Sequence, residues 1–345
     1  MSTLALAVEN SERLSVRDCV SDRELSREDV YLILQLAERV KASPGSFARA
    51  LEGRQLALIF EKPSLRTRVT FEVAMTSMGG HAIYLDHAKP RLGERESIKD
   101  IAKNLERWVD GIVARTFAQS AVDELAEHAA IPVINALTDT WHPCQALGDF
   151  MTLGEKFGRL KNMKVAFVGD GNNVCHSLMV TGAKLGVSLN VATPAGFEPK
   201  AEIVGEAKAI ARKNGGKIHL HHDPAEAVGG AQAVYTDVWA SMGQEAEREK
   251  RLPIFRTFQI NRSLLREAKP RAFVMHCLPA HRGEEITEDV FEGPQSIVFP
   301  QAENRMHLQK AILFDLLAGR AKSRPARTAS KARASKRSAR TRRSR

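Results

Sequence analysis

Five consecutive residues, Ser64-Leu65-Arg66-Thr67-Arg68, place two guanidinium groups and two hydroxyls side by side. Arginine presents fork-shaped donors that match phosphate oxygens, and Ser and Thr add hydroxyl donors. The apolar run Leu56-Ala57-Leu58-Ile59-Phe60 before them reads as a strand, and Val69 to Met75 after them continue as a helix. A strand, a turn and a helix start leave backbone N–H groups unpaired at one point. The chemistry this combination fits is capture of a phosphate or phosphoanhydride. A capped helix with solvated arginines would carry the same five residues, so the loop alone leaves both readings open.

Four further groups fall at predicted strand ends. Arg115 closes Val113-Ala114-Arg115, and His142-Pro143-Cys144-Gln145 opens a predicted helix just past a strand over 131–135. Asp237-Val238-Trp239-Ala240-Ser241-Met242-Gly243 and His276-Cys277-Leu278-Pro279 each follow a strand further on. Ligands of open α/β sheets bind at the carboxyl ends of the strands, so five weak signals at such ends reinforce one another.

These groups need a scaffold, and the apolar pattern supplies one. Ser26-Arg27-Glu28-Asp29 starts a helix as a capping box, Val30, Ile33, Leu34 and Ala37 repeat at helical spacing, and Ser43-Pro44-Gly45 ends it. Strands are predicted at 56–60, 81–85, 112–115 and 131–135, with helices from about 67 and over 120–129. A second series follows at 164–169, 187–192, 233–236 and 272–276. Such alternation predicts an α/β protein with two parallel-sheet domains of similar size and the active site in the cleft between them. The expected division is an N-terminal extension over 1–24, a first domain over 25–150, a second over 151–300, a helix over 301–319 that packs back on the first, and a basic tail over 320–345.

The formal charge of +10 sits in that tail, where residues 320–345 hold twelve Lys or Arg and no Asp or Glu. The rest of the chain carries 39 basic and 41 acidic residues. A like-charge tail without apolar periodicity is expected to be disordered, and it could contact nucleic acid or acidic partners electrostatically. No apolar run reaches the roughly 20 residues that a membrane span needs. Leu4-Ala5-Leu6-Ala7-Val8 is followed by Glu9 and Glu12 with no basic segment before it, a poor signal peptide. Cys19, Cys144, Cys175 and Cys277 form no C-x-x-C pair, so reduced thiols in a cytoplasmic protein and no metal centre are expected.

Taken together, Ser-x-Arg-Thr-Arg and His-Pro-x-Gln resemble the aspartate/ornithine carbamoyltransferase superfamily. His-Cys-Leu-Pro and the Asp-x-x-x-Ser-Met-Gly loop resemble its ornithine-using members, as do Val168-Gly169-Asp170-Gly171-Asn172-Asn173 and Phe299-Pro300-Gln301-Ala302-Glu303-Asn304-Arg305. The likeness runs from about residue 25 to 318. It implies transfer of a carbamoyl group from carbamoyl phosphate to the δ-amine of L-ornithine, without a cofactor, in a homotrimer or a larger homo-oligomer. It implies carbamoyl phosphate held by Ser64, Leu65, Arg66, Thr67, Arg115, His142, Gln145, Cys277, Leu278 and Arg305, and ornithine held by Asn173, Asp237, Ser241 and Met242. Arg115, His142, Asp237 and Cys277 are the implied catalytic residues, with Cys277 and Asp237 orienting or deprotonating the attacking amine. Gly243 is the implied pivot of a lid. Two positions depart from the pattern: Leu65 stands where Thr is usual, and Arg91 where many members reach carbamoyl phosphate across a subunit boundary with Gln. The resemblance leaves other acceptors open, namely putrescine or an N-acylornithine, and leaves open the reverse, catabolic reaction.

Two rival classes are weighed by the same residues. Val168-Gly169-Asp170-Gly171 imitates a dinucleotide loop, but Val174 replaces the third glycine and no acid for a ribose ends the next strand. A nucleic-acid-binding protein would need a basic body, and the body is slightly acidic.

Overall fold

A computed structural model describes residues 13–240 and 245–318. Ser241, Met242, Gly243 and the basic tail lie outside the described residues, so the lid reading and the tail reading fall outside them too.

The first sheet contains β1 (Gln55–Phe60), β2 (His81–Asp86), β3 (Gly111–Arg115) and β4 (Val133–Leu137) in the order β2-β1-β3-β4, every pairing parallel. Its helices are α1 (Arg27–Ala42), α2 (Leu65–Ser77), α3 (Ile98–Trp108) and α4 (Gln119–His128). Helix α5 (Pro143–Phe157) leads to the second sheet, made of β5 (Lys164–Val168), β6 (Ser188–Ala192), β7 (Ile218–His221), β8 (Ala233–Thr236) and β9 (Phe273–His276). That sheet is also parallel, in the order β7-β6-β5-β8-β9. Its longer helices are α6 (Asn173–Lys184) and α7 (Ala201–Asn214). Short helices α8 (Pro224–Val228), α9 (Arg248–Phe255), α10 (Arg262–Leu265) and α11 (Glu288–Phe291) follow, and α12 (Val298–Leu317) closes the described chain.

Two differences from the sequence reading have physical causes. The strand expected over 131–135 runs from Val133 to Leu137, because Pro132 has no N–H to give a ladder and offers only its carbonyl, to Ile112. Strand β7 escapes the reading because Ile218-His219-Leu220-His221 lies on an edge, where an apolar run is not required. The described part of the N-terminal extension, from residue 13, is packed against the first domain. Cys19 donates to the Val133 carbonyl at 2.9 Å and accepts from Asn135 at 2.8 Å, which adds one more rung beside β4, and Leu14, Cys19 and Val20 are buried.

Helix α5 runs unbroken through residues 150 and 151, where the sequence reading divides the chain. Every residue from Pro143 to Leu153 is buried, the signature of a helix enclosed on all sides. It lies against α12, α6 and α1, and α12 also reaches α2 and β9. One apolar core therefore spans both sheets, from Leu58 and Phe71 through Phe150 and Ile312 to Phe167 and Tyr235.

Candidate active site

In each sheet the chain reverses its direction of strand addition once, at β1/β3 and at β5/β8. Ligands bind in the crevice outside such switch points. Six strands deliver site residues at their carboxyl ends: β1 leads to Ser64, β3 ends on Arg115, and β4 leads to His142. β5 leads to Asn172 and Asn173, β8 to Asp237 and β9 to Cys277. The result is one cleft of about 950 Å³ lined by both halves.

The anion loop is built by capping. Ser64 is the N-cap of α2 and its Oγ accepts from the Thr67 N–H at 3.3 Å. Leu65 and Arg66 occupy the first two helical positions, whose N–H groups have no partner inside a helix. Leu65 is 76% exposed, so the polar group this position offers the cleft is its backbone N–H. Arg66, Thr67 and Ser64 also line the cleft. Arg68 does not: it stacks on Tyr84 at 3.9 Å and pairs with Glu72 at 2.9 Å. Arg91 is not among the lining residues either. Its guanidinium sits 4.2 Å from the ring of Phe117, which does line the cleft.

Three guanidiniums converge here. Arg115 is 4% exposed, and burial together with the charges of Arg305 and Arg66 pushes it down to about 9. Burial and Arg66 also lower Arg305, and burial lowers Arg66. Such a cluster gains most from an anion of two charges, which relieves the repulsion among its members. His142, the N-cap of α5, is held well below its ordinary value by burial and by the Arg305 and Arg115 charges. It is therefore a neutral imidazole, able to donate one N–H and not a proton reservoir. Arg305 Nη1 donates to Gln145 Oε1 at 3.1 Å, and Gln145 Nε2 donates to Asp149 Oδ1 at 2.8 Å. These bonds fix which end of the Gln145 amide is the donor.

The opposite wall holds a carboxylate with ordered partners. Asp237 Oδ2 accepts from Asn172 Nδ2 at 2.7 Å, and Oδ1 accepts from the Cys277 thiol at 2.9 Å and the Val238 N–H at 2.8 Å. Asn172 is itself committed, since its side-chain oxygen caps α6 through the Val174 and Cys175 N–H groups. Its amide nitrogen is thereby turned toward Asp237. Burial, then Asp237, pushes the Cys277 thiol well up. Cys277 thus keeps its proton and gives it to Asp237 as a hydrogen bond, which suits orienting an amine rather than deprotonating one. Asn173 also lines this wall, anchored by a 2.5 Å bond to the Thr138 carbonyl.

The Leu278 backbone is held in the left-handed region at φ 63, an uncommon state for a branched side chain. Its N–H donates to His276 Nδ1 at 2.8 Å, so the His276 proton resides on Nε2, 3.1 Å from buried Glu285. Asp237, His276 and Cys277 stand within 4.8 Å of one another. Both imidazole nitrogens and the thiol proton are already used, so the trio offers no open ligand set for a metal.

Twelve of the residues expected in the site line this one cleft, and Arg91 does not. Sequence reasoning missed Asn172, Asp149, Glu61 and the pair Asp170–Arg251. Glu61 accepts from the Leu92 and Phe117 N–H groups at 2.9 and 2.7 Å, tying two loops together beside the anion loop. Arg251 bonds Asp170 and the Trp239 carbonyl at 3.0 and 2.9 Å. Asn172 carried a visible signal, an Asn one residue before a helix. Asp149 lies one helical turn from Gln145, a spacing the sequence does show, whereas the others act across separations no local pattern records.

Comparison with known proteins agrees with this division of labour. The carbamoyl-P binding domain of aspartate/ornithine carbamoyltransferase matches residues 17–155, and its Asp/Orn binding domain matches residues 161–316. The chain belongs to the aspartate/ornithine carbamoyltransferase family. An ornithine carbamoyltransferase of Pyrococcus horikoshii is 52% identical over 308 residues, covering 89% of this chain and 97% of that protein. One of Pyrococcus furiosus described as anabolic is 51% identical over 89% of this chain and 98% of its own length. Among solved structures, the ornithine carbamoyltransferase of Pyrococcus furiosus superposes with a TM-score of 0.87 at 50% identity, over 90% of this chain and all of that one. That of Thermus thermophilus gives 0.80 at 47%, over 88% and 99%. The two family domains meet between residues 155 and 161, at the end of α5.

Proposed function

We propose that this carbamoyltransferase moves the carbamoyl group of carbamoyl phosphate to the δ-amine of L-ornithine, giving L-citrulline and phosphate, in the biosynthetic direction. The observation that carries the reading is the pairing of two opposed walls in one cleft. One holds three guanidiniums, a helix N-terminus and a neutral imidazole, and the other a carboxylate braced by Asn172 and Cys277.

The phosphate dianion sits on Ser64, Arg66, Thr67 and the Leu65 N–H, where the helix start and the guanidiniums both favour negative charge. Arg115, and Arg305 through Gln145, place the carbamoyl group. The amine lone pair forms the new C–N bond, and negative charge develops on the former carbonyl oxygen. The His142 N–H and Arg115 stabilise that oxygen. The C–O bond to phosphate then breaks with its electron pair going to the phosphate oxygen, and the departing phosphate takes the proton that the amine nitrogen gives up. An ammonium brought next to three guanidiniums is more acidic than in water, which favours the attacking neutral form. Nothing in the site forms a covalent intermediate, so alignment and electrostatics supply the rate.

Asp237 has the charge to hold the α-ammonium of a free amino acid, which an N-acylornithine lacks; putrescine keeps an ammonium there and differs from ornithine by the missing α-carboxylate. Catalysis by a homotrimer fits the surface of α2. Leu65, Val69 and Val73 recur at every fourth residue and are 76%, 45% and 41% exposed, an apolar stripe suited to a second copy of the chain. The four cysteines are free thiols, three of them buried, in keeping with a cytoplasmic enzyme. Among the described residues, no helix is long and apolar enough to cross a membrane. The test is acceptor-dependent phosphate release from carbamoyl phosphate with ornithine, N-acetylornithine, putrescine and aspartate compared as acceptors. A better rate with any acceptor other than ornithine overturns the assignment.

A further inference from the structure

Behind His142 lies a buried polar cluster that the reaction does not use directly. The backbone N–H of His142 donates to Ser177 Oγ at 2.8 Å, and the Ser177 hydroxyl donates to Asp22 Oδ2. The other Asp22 oxygen accepts from Thr181 Oγ1 at 2.7 Å. Lys184 Nζ caps the turn by donating to the carbonyls of Asp22, Arg23 and Leu25. Asp22, Ser177 and Thr181 are all fully buried. The cluster joins both halves: Asp22 follows the Cys19 rung beside β4, whereas Ser177, Thr181 and Lys184 project from α6 of the second.

His142 needs such an anchor. As an N-cap with φ −141 and ψ 64 it stands outside the regular helix, so the helix does not fix its amide. Its Nδ1 is buried and has no hydrogen-bond partner among the described residues. The imidazole is therefore placed by the backbone that carries it, and that backbone is tied through Ser177.

We propose that Asp22 and Ser177 are positioning residues for His142, so that the N-terminal segment sets the aim of the imidazole N–H across the two halves. This rests on the reading of His142 as the donor to the developing oxyanion. A displacement of about 1 Å at such a donor is enough to cost on the order of 100-fold in rate.

Thr181 supplies a matched control. It bonds the same carboxylate from the next turn of α6 and does not touch His142. Ser177→Ala and Thr181→Val each remove one hydrogen bond to Asp22; S177A also strands the buried His142 amide and should lower the melting temperature further. Expected for the full-length enzyme is a drop in kcat of about 10- to 100-fold in S177A with the KM for ornithine little changed, against a change within about threefold in T181V. The His142 ring nitrogen resonances, followed in ¹⁵N-histidine-labelled protein, should move in S177A and stay in T181V. Equal kinetic losses in the two variants, or unmoved His142 resonances in S177A, overturn the proposal. If S177A does not fold, Ser177→Cys, which keeps the volume and weakens the acceptor, is measured in the same way, and unaltered kcat and resonances overturn it. A wild-type enzyme that forms no citrulline would sink the functional reading instead, and the resonances would still decide the link between Ser177 and His142.

Discussion

Asp149→Asn should stabilise the protein by an amount that grows with pH. Asp149 is fully buried, and burial moves its carboxyl from 3.8 up to about 7 even with bonds from Gln145 and Gln301 and the Arg305 charge pulling the other way. The folded state therefore holds its proton more tightly than the unfolded chain. The stability this group contributes is present in full below 3.8 and is lost as the pH rises to about 7. At about 1.4 kcal/mol for each tenfold in proton affinity, the ionised carboxylate costs the fold roughly 4 kcal/mol above pH 8 and only about half a kcal/mol at pH 4. Asparagine keeps the shape and one acceptor, so the Nε2 bonds from Gln145 and Gln301, at 2.8 and 2.7 Å, survive without the charge. Urea unfolding of D149N and wild type at equal protein concentration, between pH 4 and 8.5, measures the difference with all other titrations subtracted. A difference that stays flat across that range, or a variant less stable at pH 8.5, refutes the reasoning. Such a result would mean that water or Arg305 keeps this carboxylate ionised at little cost.

Other expectations follow from the same geometry. His142→Ala should lower kcat by about 100- to 1,000-fold, the value of one oxyanion donor. Because His142 is already neutral, the wild-type kcat should show no acid limb near pH 6.5 that vanishes in His142→Gln. Arg115 near 9 makes phosphate binding weaken on the alkaline side. Calorimetric affinity for inorganic phosphate, a dianion above about pH 8, should be level from there to about pH 8.5 and fall by up to tenfold for each pH unit above about 9, and an unchanged affinity at pH 10 would contradict this. Cys277→Ala removes one hydrogen bond to Asp237, so kcat/KM for ornithine should fall by about 5- to 30-fold, not by the larger factor expected of a general base. Val69→Glu puts a charge into the α2 stripe and should yield smaller species by light scattering, while an unaltered mass would remove that stripe from the interface.

Much of this site is legible in the sequence because phosphate chemistry is written locally. Ser64 to Arg68 carry the cap, the first-turn amides and the guanidinium within one turn of helix, and strand ends announce themselves by where an apolar run stops. The acceptor wall is legible in part. Asp237 and Cys277 stand out at strand ends, but their hydrogen bond joins positions forty residues apart, and only the parallel pairing of β8 with β9 brings them together. Asn172 shows the limit well. Its role as a helix cap is readable from sequence, whereas the turn of its amide toward Asp237 follows from the cap and exists only once β5 and β8 are neighbours.

What stays hidden is the layer that aims the visible residues. Asp22, Glu61, Asp149 and Glu285 are carboxylates with at most 6% of their surface exposed, and in sequence each looks like an ordinary surface acid. They are buried because each answers a donor that the fold would otherwise strand: the Ser177 and Thr181 hydroxyls, the Leu92 and Phe117 amides, the Gln145 amide, the His276 imidazole. An unpaired donor in such a place costs about 1–3 kcal/mol, and an unpaired charge more; apart from Gln145–Asp149, one helical turn apart, these pairings are set by topology rather than by any helix- or strand-period pattern. The division has a consequence for substitution. Changing a residue that touches substrate should alter affinity or turnover for one substrate, as is proposed for Cys277 and the amine. Changing one of the hidden carboxylates should alter the aim of a residue already in place, leaving binding largely intact while turnover falls.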